Sequence, residues 1–499
     1  MKRKILAITV VFVMLFSVGC SRLDALIRIP TNESFSDTLL DTESDTKLDA
    51  ETDAQTDTKE TEKDTSEASM INGTDLSKFA IVYSDNDLDY SRRAALYIKT
   101  EILARTGLNL ALVEENYSSD AECEIVVGET SRDISARLDA DTERTQFAIL
   151  AEDKQIAIEG ERFVIAAAAY FFIETYVPED NFSAEIPKKI SIHEPIVEKA
   201  KNYIILIGDG MGLYQTLLFD ILENNEAYSD GEDVFYGYYL PSIGFARTRS
   251  LSGTTDSAAA GTALSCGVKT VNGYVGQDKD HKEVMSITEL AASLGKSTAV
   301  MSTEPSTGAT PASFSSHAND RSNSSNILND QSNLTKLYGT IINCDYNHYT
   351  ESGVKQIETK VNETLDRLDN NKNGFFLMYE EAHIDKHCHN NDIENTYRAV
   401  IRFNQVIATV MEYAFYHPDT FVLITADHET GKLLPSGAGG YAYNTTNHSS
   451  HYVPVFAYGD GSDLFNDTVI ENIQIPQTVA AFMGKDDFGD QSEYKSLTK

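Results

Sequence analysis

The chain has 499 residues, of which 41% are hydrophobic, and it carries a formal net charge of -36. That length is enough for two or three domains, and that hydrophobic content is enough to build packed cores. The strong negative charge argues against nucleic acid as a partner, because phosphate backbones are bound through lysine and arginine.

The first twenty residues have the pattern of a bacterial export signal. Basic residues at 2–4 precede an apolar run, 5–16, that is too short for a comfortable membrane span. Residues 17–20 resemble a lipoprotein cleavage box, although Ser17 stands where leucine is usual. We expect a lipoprotein-type signal peptide at 1–20, lipidation of Cys20 and a protein anchored to the cell membrane outside the cytoplasm. An ordinary cleaved signal peptide, giving a secreted protein, is the alternative.

Residues 21–71 predict an acidic linker rich in Thr, Asp and Glu. Residues 31–69 alone hold thirteen acidic residues against three lysines and have hardly an aromatic residue. Such a segment buries too little apolar surface to offset its conformational entropy, so we expect it to be disordered. Its expected role is a solvated tether, with an acidic calcium-binding or cell-wall-binding tail as the alternative.

Residues 72–198 predict a small α/β accessory domain. Strands are expected at 79–83 and 124–128, a hairpin at 147–150 and 155–158, and helices at 92–106 and 164–176, the first stopped by Gly107. No catalytic constellation is visible here, so a packing or docking module is expected. The layout loosely resembles the small domain in front of the catalytic barrel of several glycosidases, which leaves contact with glycan or cell wall as an alternative.

Residues 199–499 alternate predicted strands and helices, which indicates a mostly parallel sheet with helices on both faces. The apolar run 203–207 reads as a central strand, with further strands at 297–301, 375–379, 421–425 and 453–457 and a long helix at 393–416. In open sheets of this kind the ligand site lies beyond the carboxyl ends of the strands.

Two polar residues that follow predicted strands or turns are candidates for binding a metal or a phosphate. Asp209 follows the central strand in a glycine-rich turn that lacks the dinucleotide-binding form, which favours a metal. Ser257 stands at the start of a predicted helix, where backbone N–H groups and the helix dipole favour phosphate. A plain N-cap at Asp256 or Ser257 is the alternative.

The next clusters contain hydroxyl, guanidinium and carboxylate groups. Thr310 could cap a helix or ligate a cation, and Arg321 could be a surface charge or a bidentate phosphate clamp. Asp385 and His389 are four residues apart, which places them on one helix face and suits zinc. Glu380, at the end of the strand before them, suits a harder ion such as magnesium.

Asp427 and His428 end another apolar strand and point to a metal. His448 lies in a loop before the strand at 453–457, and nearby His451 competes with it for the same role. Four cysteines, Cys123, Cys266, Cys344 and Cys388, show no metal-binding spacing, and the sequence cannot assign a disulfide among them. Cys388 lies between two histidines, and we expect it to be a bystander.

Together these clusters resemble the alkaline phosphatase family, of the bacterial secreted or lipoprotein type, over residues 202–459. The resemblance rests on the turn 208–212, Thr-Asp-Ser-Ala at 255–258, Ala-Thr-Pro-Ala at 309–312, Glu-x4-Asp-x3-His at 380–389 and Thr-Ala-Asp-His-Glu-Thr-Gly at 425–431. It implies an α/β fold: an alkaline-phosphatase-like sandwich whose mostly parallel central sheet is flanked by helices, behind the small accessory domain.

The resemblance also implies two Zn²⁺ and one Mg²⁺ per subunit and assigns roles residue by residue. Ser257 is the expected nucleophile, and Arg321 and Lys386 are expected to bind the substrate phosphate, Lys386 through water. The ligands implied are Asp385, His389 and His448 for one zinc, Asp209, Asp427 and His428 for the second, and Thr310, Glu380 and bridging Asp209 for magnesium. Gly308 stands where many members have an acidic residue or a histidine near the magnesium.

The function implied is hydrolysis of small phosphomonoesters through a phosphoserine, with release of inorganic phosphate. A phosphodiesterase or phosphonate hydrolase of the same fold is the nearest alternative, and a catalytically idle surface protein that binds glycans is a more distant one. A sulfatase is disfavoured, because no Cys-x-Pro-x-Arg or Ser-x-Pro-x-Arg segment is present. A homodimer is expected from the resemblance alone.

Overall fold

The computed structural model describes residues 68–85, 89–138, 142–179, 181–219, 234–345, 351–437 and 440–498. The predicted signal peptide, including Cys20, and most of the predicted linker lie outside these residues. One limit needs correction: Met70–Ile71, assigned to the linker by sequence, form a strand, and Ile71 is buried in the core. The other predicted limits, 72–198 and 199–499, stay predictions. None of the helices in the described residues combines the length and apolar composition needed to cross a membrane.

The first part of the described chain contains strands β1–β9 and helices α1–α3. The strands are β1 Met70–Ile71, β2 Thr74–Asp75, β3 Phe79–Tyr83, β4 Leu112–Glu114, β5 Cys123–Val127, β6 Phe147–Glu152, β7 Gln155–Gly160, β8 Ser183–Ala184 and β9 Ser191–His193. The helices are α1 Tyr90–Thr106, α2 Asp133–Leu138 and α3 Val164–Tyr176.

A six-stranded sheet forms the centre of this part, in the order β4-β3-β5-β7-β6-β9. The β6 and β7 strands are the predicted hairpin, paired antiparallel. Helix α1 ends where the sequence predicts, at Gly107, whose φ of 75° is a left-handed conformation that costs glycine little because it lacks a Cβ atom.

The second part contains strands β10–β21 and helices α4–α12. The strands are β10 Asn202–Gly208, β11 Ser242–Arg247, β12 Ser297–Ser302, β13 Ile341–Cys344, β14 Phe375–Glu381, β15 Thr420–Thr425, β16 Glu429–Thr430, β17 Leu434–Pro435, β18 Tyr441–Ala442, β19 His448–Ser449, β20 Val453–Tyr458 and β21 Val469–Glu471. The helices are α4 Leu213–Thr216, α5 Ser257–Cys266, α6 Ile287–Ser293, α7 Ala309–Ser313, α8 Ser324–Tyr338, α9 Glu351–Asp369, α10 His383–His389, α11 Ile393–Tyr416 and α12 Gln474–Phe482.

An eight-stranded sheet runs through this part in the order β13-β12-β14-β10-β15-β20-β11-β21. The first five strands are parallel, while β20 pairs antiparallel with both β15 and β11. The predicted α/β fold with a mostly parallel sheet flanked by helices is therefore confirmed. All seven residues of β10 are buried, as its apolar sequence predicts for a central strand.

The sequence did not reveal strands β11, β13 and β21. Strand β11 buries Ser242, Gly244 and Ala246 on alternate positions, so its core-facing residues are too small or too polar to produce a strong apolar pattern. Strand β13 lies at the edge of the sheet and is only partly buried, which weakens its pattern in the same way.

The two parts of the chain are packed together through helix α11. The Phe163 ring, before α3, lies between the rings of Tyr236, Tyr239 and Phe415, with centroids at 5.1, 5.5 and 6.0 Å. At the edge of this contact the Arg93 Nε atom donates to a Glu412 carboxylate oxygen at 2.8 Å. The contact combines buried aromatic rings with a peripheral ion pair, so the first part is fixed on the second through α11 in this structure.

Phe163→Ala should lower the free energy of unfolding by about 3–5 kcal/mol, because removing a buried aromatic ring loses transfer energy and leaves a cavity. Urea denaturation would measure the change. Leu337→Ala, at a position that is 74% exposed, is the control and should change stability by no more than about 0.5 kcal/mol. An equally small effect at Phe163 would contradict the packing described for this contact.

Candidate active site

The predicted site residues meet at one edge of the eight-stranded sheet. Asp209 directly follows β10, Glu380 lies near the end of β14, and Asp427 follows β15. In the strand register Ile207 pairs with both Glu380 and Thr425, so the three strands end side by side. Because the strands are parallel, their carboxyl ends open onto a common edge, where a ligand site is expected.

One cluster consists of Asp385, His389 and His448. The Nε2 atom of His389 lies 3.2 Å from Asp385 Oδ2 and 3.1 Å from His448 Nε2, which is itself 3.6 Å from Asp385 Oδ1. The other ring nitrogens face backbone carbonyls: His389 Nδ1 lies 2.6 Å from the Thr446 oxygen and His448 Nδ1 lies 2.8 Å from the Thr255 oxygen. This arrangement leaves both Nε2 atoms available to a metal.

The second cluster consists of Asp209, Asp427 and His428. The Nε2 atom of His428 lies 3.5 Å from Asp209 Oδ1 and 3.2 Å from Asp427 Oδ2. The second oxygen of Asp427 accepts hydrogen bonds from the backbone N–H groups of Gly210 and His428, which fixes the carboxylate. His428 also lies with Asp385 and His448 in a group whose ligand atoms are within 4.8 Å of one another, so the two clusters adjoin.

The donor atoms of the second cluster fit zinc. Asp209 Oδ1 and Asp427 Oδ2 are buried and have no hydrogen-bond partner among the residues that the structure describes. His428 is fully buried, and burial lowers its pKa, so the imidazole is neutral and has a single N–H. One N–H cannot satisfy both carboxylates, whereas a cation between carboxylate oxygens and an imidazole nitrogen would.

Thr310 and Glu380 form a third group with hard oxygen atoms. Thr310 Oγ1 and Glu380 Oε1 are also buried without a hydrogen-bond partner in the described part of the chain. The second oxygen of Glu380 accepts a hydrogen bond of 2.5 Å from the Ser302 hydroxyl, which orients the carboxylate. A set of carboxylate and hydroxyl oxygens suits magnesium better than zinc.

Two neighbouring residues of β14 face different environments. Glu380 contributes to the third group, whereas the side chain of Glu381 interacts with Thr303 and His383 and lies 3.7 Å from the Arg402 guanidinium. Successive side chains of a strand point to opposite faces, which explains the division.

The carboxyl groups of the site have pKa values that are shifted in opposite directions. Burial, together with the neighbouring carboxylates, raises the pKa of Asp209 and of Glu380 well above the usual range and raises the pKa of Asp427 to about 7. Burial acts in the same direction on Asp385, but the hydrogen bond from His389 and the nearby imidazoles hold its pKa below the usual range. That hydrogen bond raises the pKa of His389 to about 9.

Ser257 is the first residue of helix α5, which begins after the N-cap Asp256. Asp256 Oδ1 accepts from the Ala259 backbone, and Asp256 Oδ2 accepts from the Arg321 guanidinium at 3.3 Å. The buried Ser257 Oγ lies 3.2 Å from His428 Nε2. The helix start therefore brings the predicted nucleophile to the second cluster and anchors the predicted phosphate-binding arginine beside it.

The remaining predicted residues are placed as follows. His448 lies within the first cluster, while its competitor His451 is exposed. Cys388 is buried with its sulfur near the hydroxyl of Tyr443, consistent with a bystander, and Cys123, Cys266, Cys344 and Cys388 are all free thiols. Lys386 pairs with Glu304 at 3.0 Å.

Two further residues contact the site although no sequence pattern assigned them a role: Glu304 and Thr430. The Thr430 hydroxyl donates to Asp385 Oδ1 at 2.5 Å, and the Glu304 carboxylate pairs with Lys386. Glu304 stands two residues beyond β12, among polar residues at the end of an apolar strand. That position was the signal by which Glu304 could have been found, because the neighbouring strands end in site residues.

Comparison with known proteins agrees with this geometry. A family model described as alkaline phosphatase matches residues 200–347 and 349–442. Alkaline phosphatase 3 and alkaline phosphatase 4 of Bacillus subtilis (strain 168) are each 29% identical to the chain, over 298 and 309 residues, which cover 49% and 51% of this chain. The matches span 64% and 66% of those two relatives' own lengths.

Solved structures show the same likeness. The alkaline phosphatase from the Antarctic bacterium TAB5 superposes with a TM-score of 0.51 and 26% identity, covering 57% of this chain and 99% of that one. A mutant of the TAB5 enzyme, with a TM-score of 0.50 and 25% identity over 58% of this chain and 100% of its own, has Mg bound in its M3 site. Residues 200–442 of this chain belong to the alkaline phosphatase family.

The metal-free protein should lose stability as the pH rises from 7 to 9. Unfolded carboxyl groups have released their protons well below pH 7, whereas folded Asp427, with a pKa of about 7, is still partly protonated at pH 7. The pKa values of Asp209 and Glu380 are shifted in the same direction. The folded state thus binds more protons, and its stability falls as these protons are lost. His389 acts in the same direction, weakly because its side chain is 39% exposed.

We expect the free energy of unfolding to fall across this range, as measured by urea denaturation of chelator-treated protein. The same series with zinc and magnesium present is the control. It should show a smaller loss, because the ligands then hold metal ions rather than protons. Stability that stays constant or rises between pH 7 and 9 in the metal-free protein would contradict the assigned direction of the pKa shifts.

Proposed function

We propose that this protein is a metal-dependent phosphomonoesterase that transfers a phosphoryl group to Ser257 and then to water. The observation that carries the proposal is the position of Ser257 Oγ, at a helix start and 3.2 Å from His428 Nε2. His428 belongs to the second cluster, and its ligand atom also lies within 4.8 Å of those of Asp385 and His448 in the first cluster. A hydroxyl between the two clusters supports a role for Ser257 in attack on phosphorus, and the match of residues 200–442 to the alkaline phosphatase family supports the same chemistry.

The start of α5 would hold the nonbridging oxygens of the phosphoryl group. Backbone N–H groups at the first turn and the helix dipole stabilise negative charge there. The Arg321 guanidinium is held on one side by Asp256, and its other N–H groups remain able to bind phosphoryl oxygens in a fork. Fixed donors of this kind stabilise charge in the transition state at little reorganisation cost.

The reaction would proceed in two displacements. A bond forms between Ser257 Oγ and phosphorus while the bond from phosphorus to the leaving alcohol breaks, and water then cleaves the phosphoserine to release inorganic phosphate. Two zinc ions held by the two clusters, and one magnesium ion held by Thr310, Glu380 and Asp209, would supply Lewis-acid activation of the reacting oxygens and neutralise phosphoryl charge. The hydrogen bonds to Asp427, His389 and His448 orient these side chains in advance.

For location we propose a lipid anchor at Cys20 that holds the protein at the outer face of the cell membrane. The proposal is supported by the basic, apolar and small-residue pattern of residues 1–20. The homodimer and the contact of residues 72–198 with glycan or cell wall stay predictions.

Cys20→Ser should move the protein from the detergent phase to the aqueous phase of a detergent partition, because the thiol that would carry the lipid is absent. Ser21→Ala is the control and should leave the protein in the detergent phase. Aqueous partition of the unchanged protein would instead favour an ordinary cleaved signal peptide.

Zinc- and magnesium-loaded protein should hydrolyse p-nitrophenyl phosphate at alkaline pH and cleave bis-p-nitrophenyl phosphate far more slowly. Ser257→Ala should lower turnover of the monoester by about 10³-fold or more, because the nucleophile is lost while the fold is kept. Ser265→Ala, the same substitution on the same helix, is the matched control and should retain most of the activity.

Other outcomes assign the site differently. Preference for the diester would favour a phosphodiesterase of the same fold. Near-normal turnover by Ser257→Ala would remove Ser257 from the mechanism. No cleavage of either ester by folded, metal-loaded protein would favour the binding-protein alternative.

A further inference from the structure

Glu304 is a partly buried carboxylate near the third group of ligands, and its side chain is 14% exposed. It follows β12, whose last residue, Ser302, pairs in register with Glu380 of β14. The Ser302 hydroxyl accepts from the Glu304 backbone N–H at 3.0 Å and donates to Glu380 Oε2 at 2.5 Å. One hydroxyl thus ties the backbone of Glu304 to a carboxylate of the third group.

The glycine at position 308 makes room for the Glu304 side chain. A Cβ atom built on Gly308 would lie 1.8 Å from Glu304 Oε1, far inside van der Waals contact. Gly308 is the N-cap of α7, two residues before Thr310, whose buried hydroxyl belongs to the third group. The carboxylate therefore fills the space beside Thr310 that a side chain at position 308 would otherwise enter.

The other oxygen of Glu304 pairs with Lys386. Glu304 Oε2 lies 3.0 Å from Lys386 Nζ, and the side chains are 14% and 44% exposed, respectively. Lys386 follows Asp385 on α10, so the pair connects the third group to the helix that carries two ligands of the first cluster.

We infer that Glu304 is an additional carboxylate of the magnesium site, which attracts the cation directly or through its water and also positions Lys386. The inference depends on the proposed function only for the identity of the ion, which is Mg²⁺. Mg²⁺ prefers carboxylate oxygens and keeps several of its waters, so a carboxylate beside the ligands strengthens binding. The Lys386 ammonium competes with the ion for the same carboxylate.

Titration calorimetry of zinc-loaded protein with MgCl₂, without substrate, tests the inference. Glu304→Gln should weaken Mg²⁺ binding by about 10–100-fold, the usual effect of removing a group that supports a metal site. Gly308→Ala, which keeps every charge but displaces the carboxylate, should also weaken binding. Lys386→Met should strengthen binding, because it frees Glu304 and removes a positive charge. A purely structural ion pair would make the Glu304 and Lys386 variants change in the same direction.

Asp345→Asn is the matched control. Asp345 is exposed, and its backbone N–H donates to the Glu304 carbonyl oxygen, so the substitution removes one nearby negative charge without altering the Glu304 carboxylate. It should leave Mg²⁺ affinity within about twofold, since exposed charges act weakly through water. Circular dichroism would establish that each variant is folded.

Unchanged Mg²⁺ affinity in folded Glu304→Gln would overturn the inference, as would weaker binding in Lys386→Met or no Mg²⁺ binding by the unchanged protein. The outcome is independent of catalysis. Protein that binds Mg²⁺ through Glu304 but hydrolyses neither phosphate ester would keep the inference and refute the proposed function. An active phosphatase whose Mg²⁺ affinity is unchanged by Glu304→Gln would support the proposed function and refute the inference.

Discussion

The arrangement of the second part of the chain depends on gathering acidic side chains at one buried edge of its mostly parallel sheet. Asp427 and Glu380 are fully buried, and Asp209 and Asp385 are nearly so. Burying unpaired charges costs several kcal/mol each, and the raised pKa values of Asp209 and Glu380 reflect that cost. Bound cations would offset the repulsion, so the same crowding that destabilises the metal-free protein prepares a site for metal ions.

The sheet and the surrounding hydrogen bonds hold these side chains in place. Strands β10, β14 and β15 end side by side, so their terminal residues begin from fixed backbone positions. Backbone carbonyls of Thr255 and Thr446 then orient His448 and His389, and the Ser302 hydroxyl orients Glu380. Precision at the site thus comes from a rigid scaffold and from orienting groups outside the ligands themselves.

Helix α11 connects the second part of the chain to the first part. On one side it packs near the site helix α10, and on the other its Phe415 and Glu412 contact Phe163 and Arg93. A packing role for residues 72–198, expected from the absence of a catalytic constellation, is consistent with these contacts. The family match begins at residue 200, so the first part of the chain lies outside the region on which the family assignment rests.

The sequence by itself determined the class of fold, the family and the residue types that could carry the chemistry. Apolar strands such as β10 and β14 could be predicted, because a strand buried on both faces needs a continuous run of apolar residues. A polar site residue lies at or just after the end of each of these strands. Strands β11 and β13 could not be predicted from the sequence, because they are stabilised by pairing with neighbouring strands and have no strong local apolar pattern. Only the tertiary structure decided which distant groups meet. It placed His448, and not His451, in the first cluster, and it brought Glu304 beside Gly308 and Lys386, because such contacts depend on how strands and loops converge in space rather than on spacing along the chain.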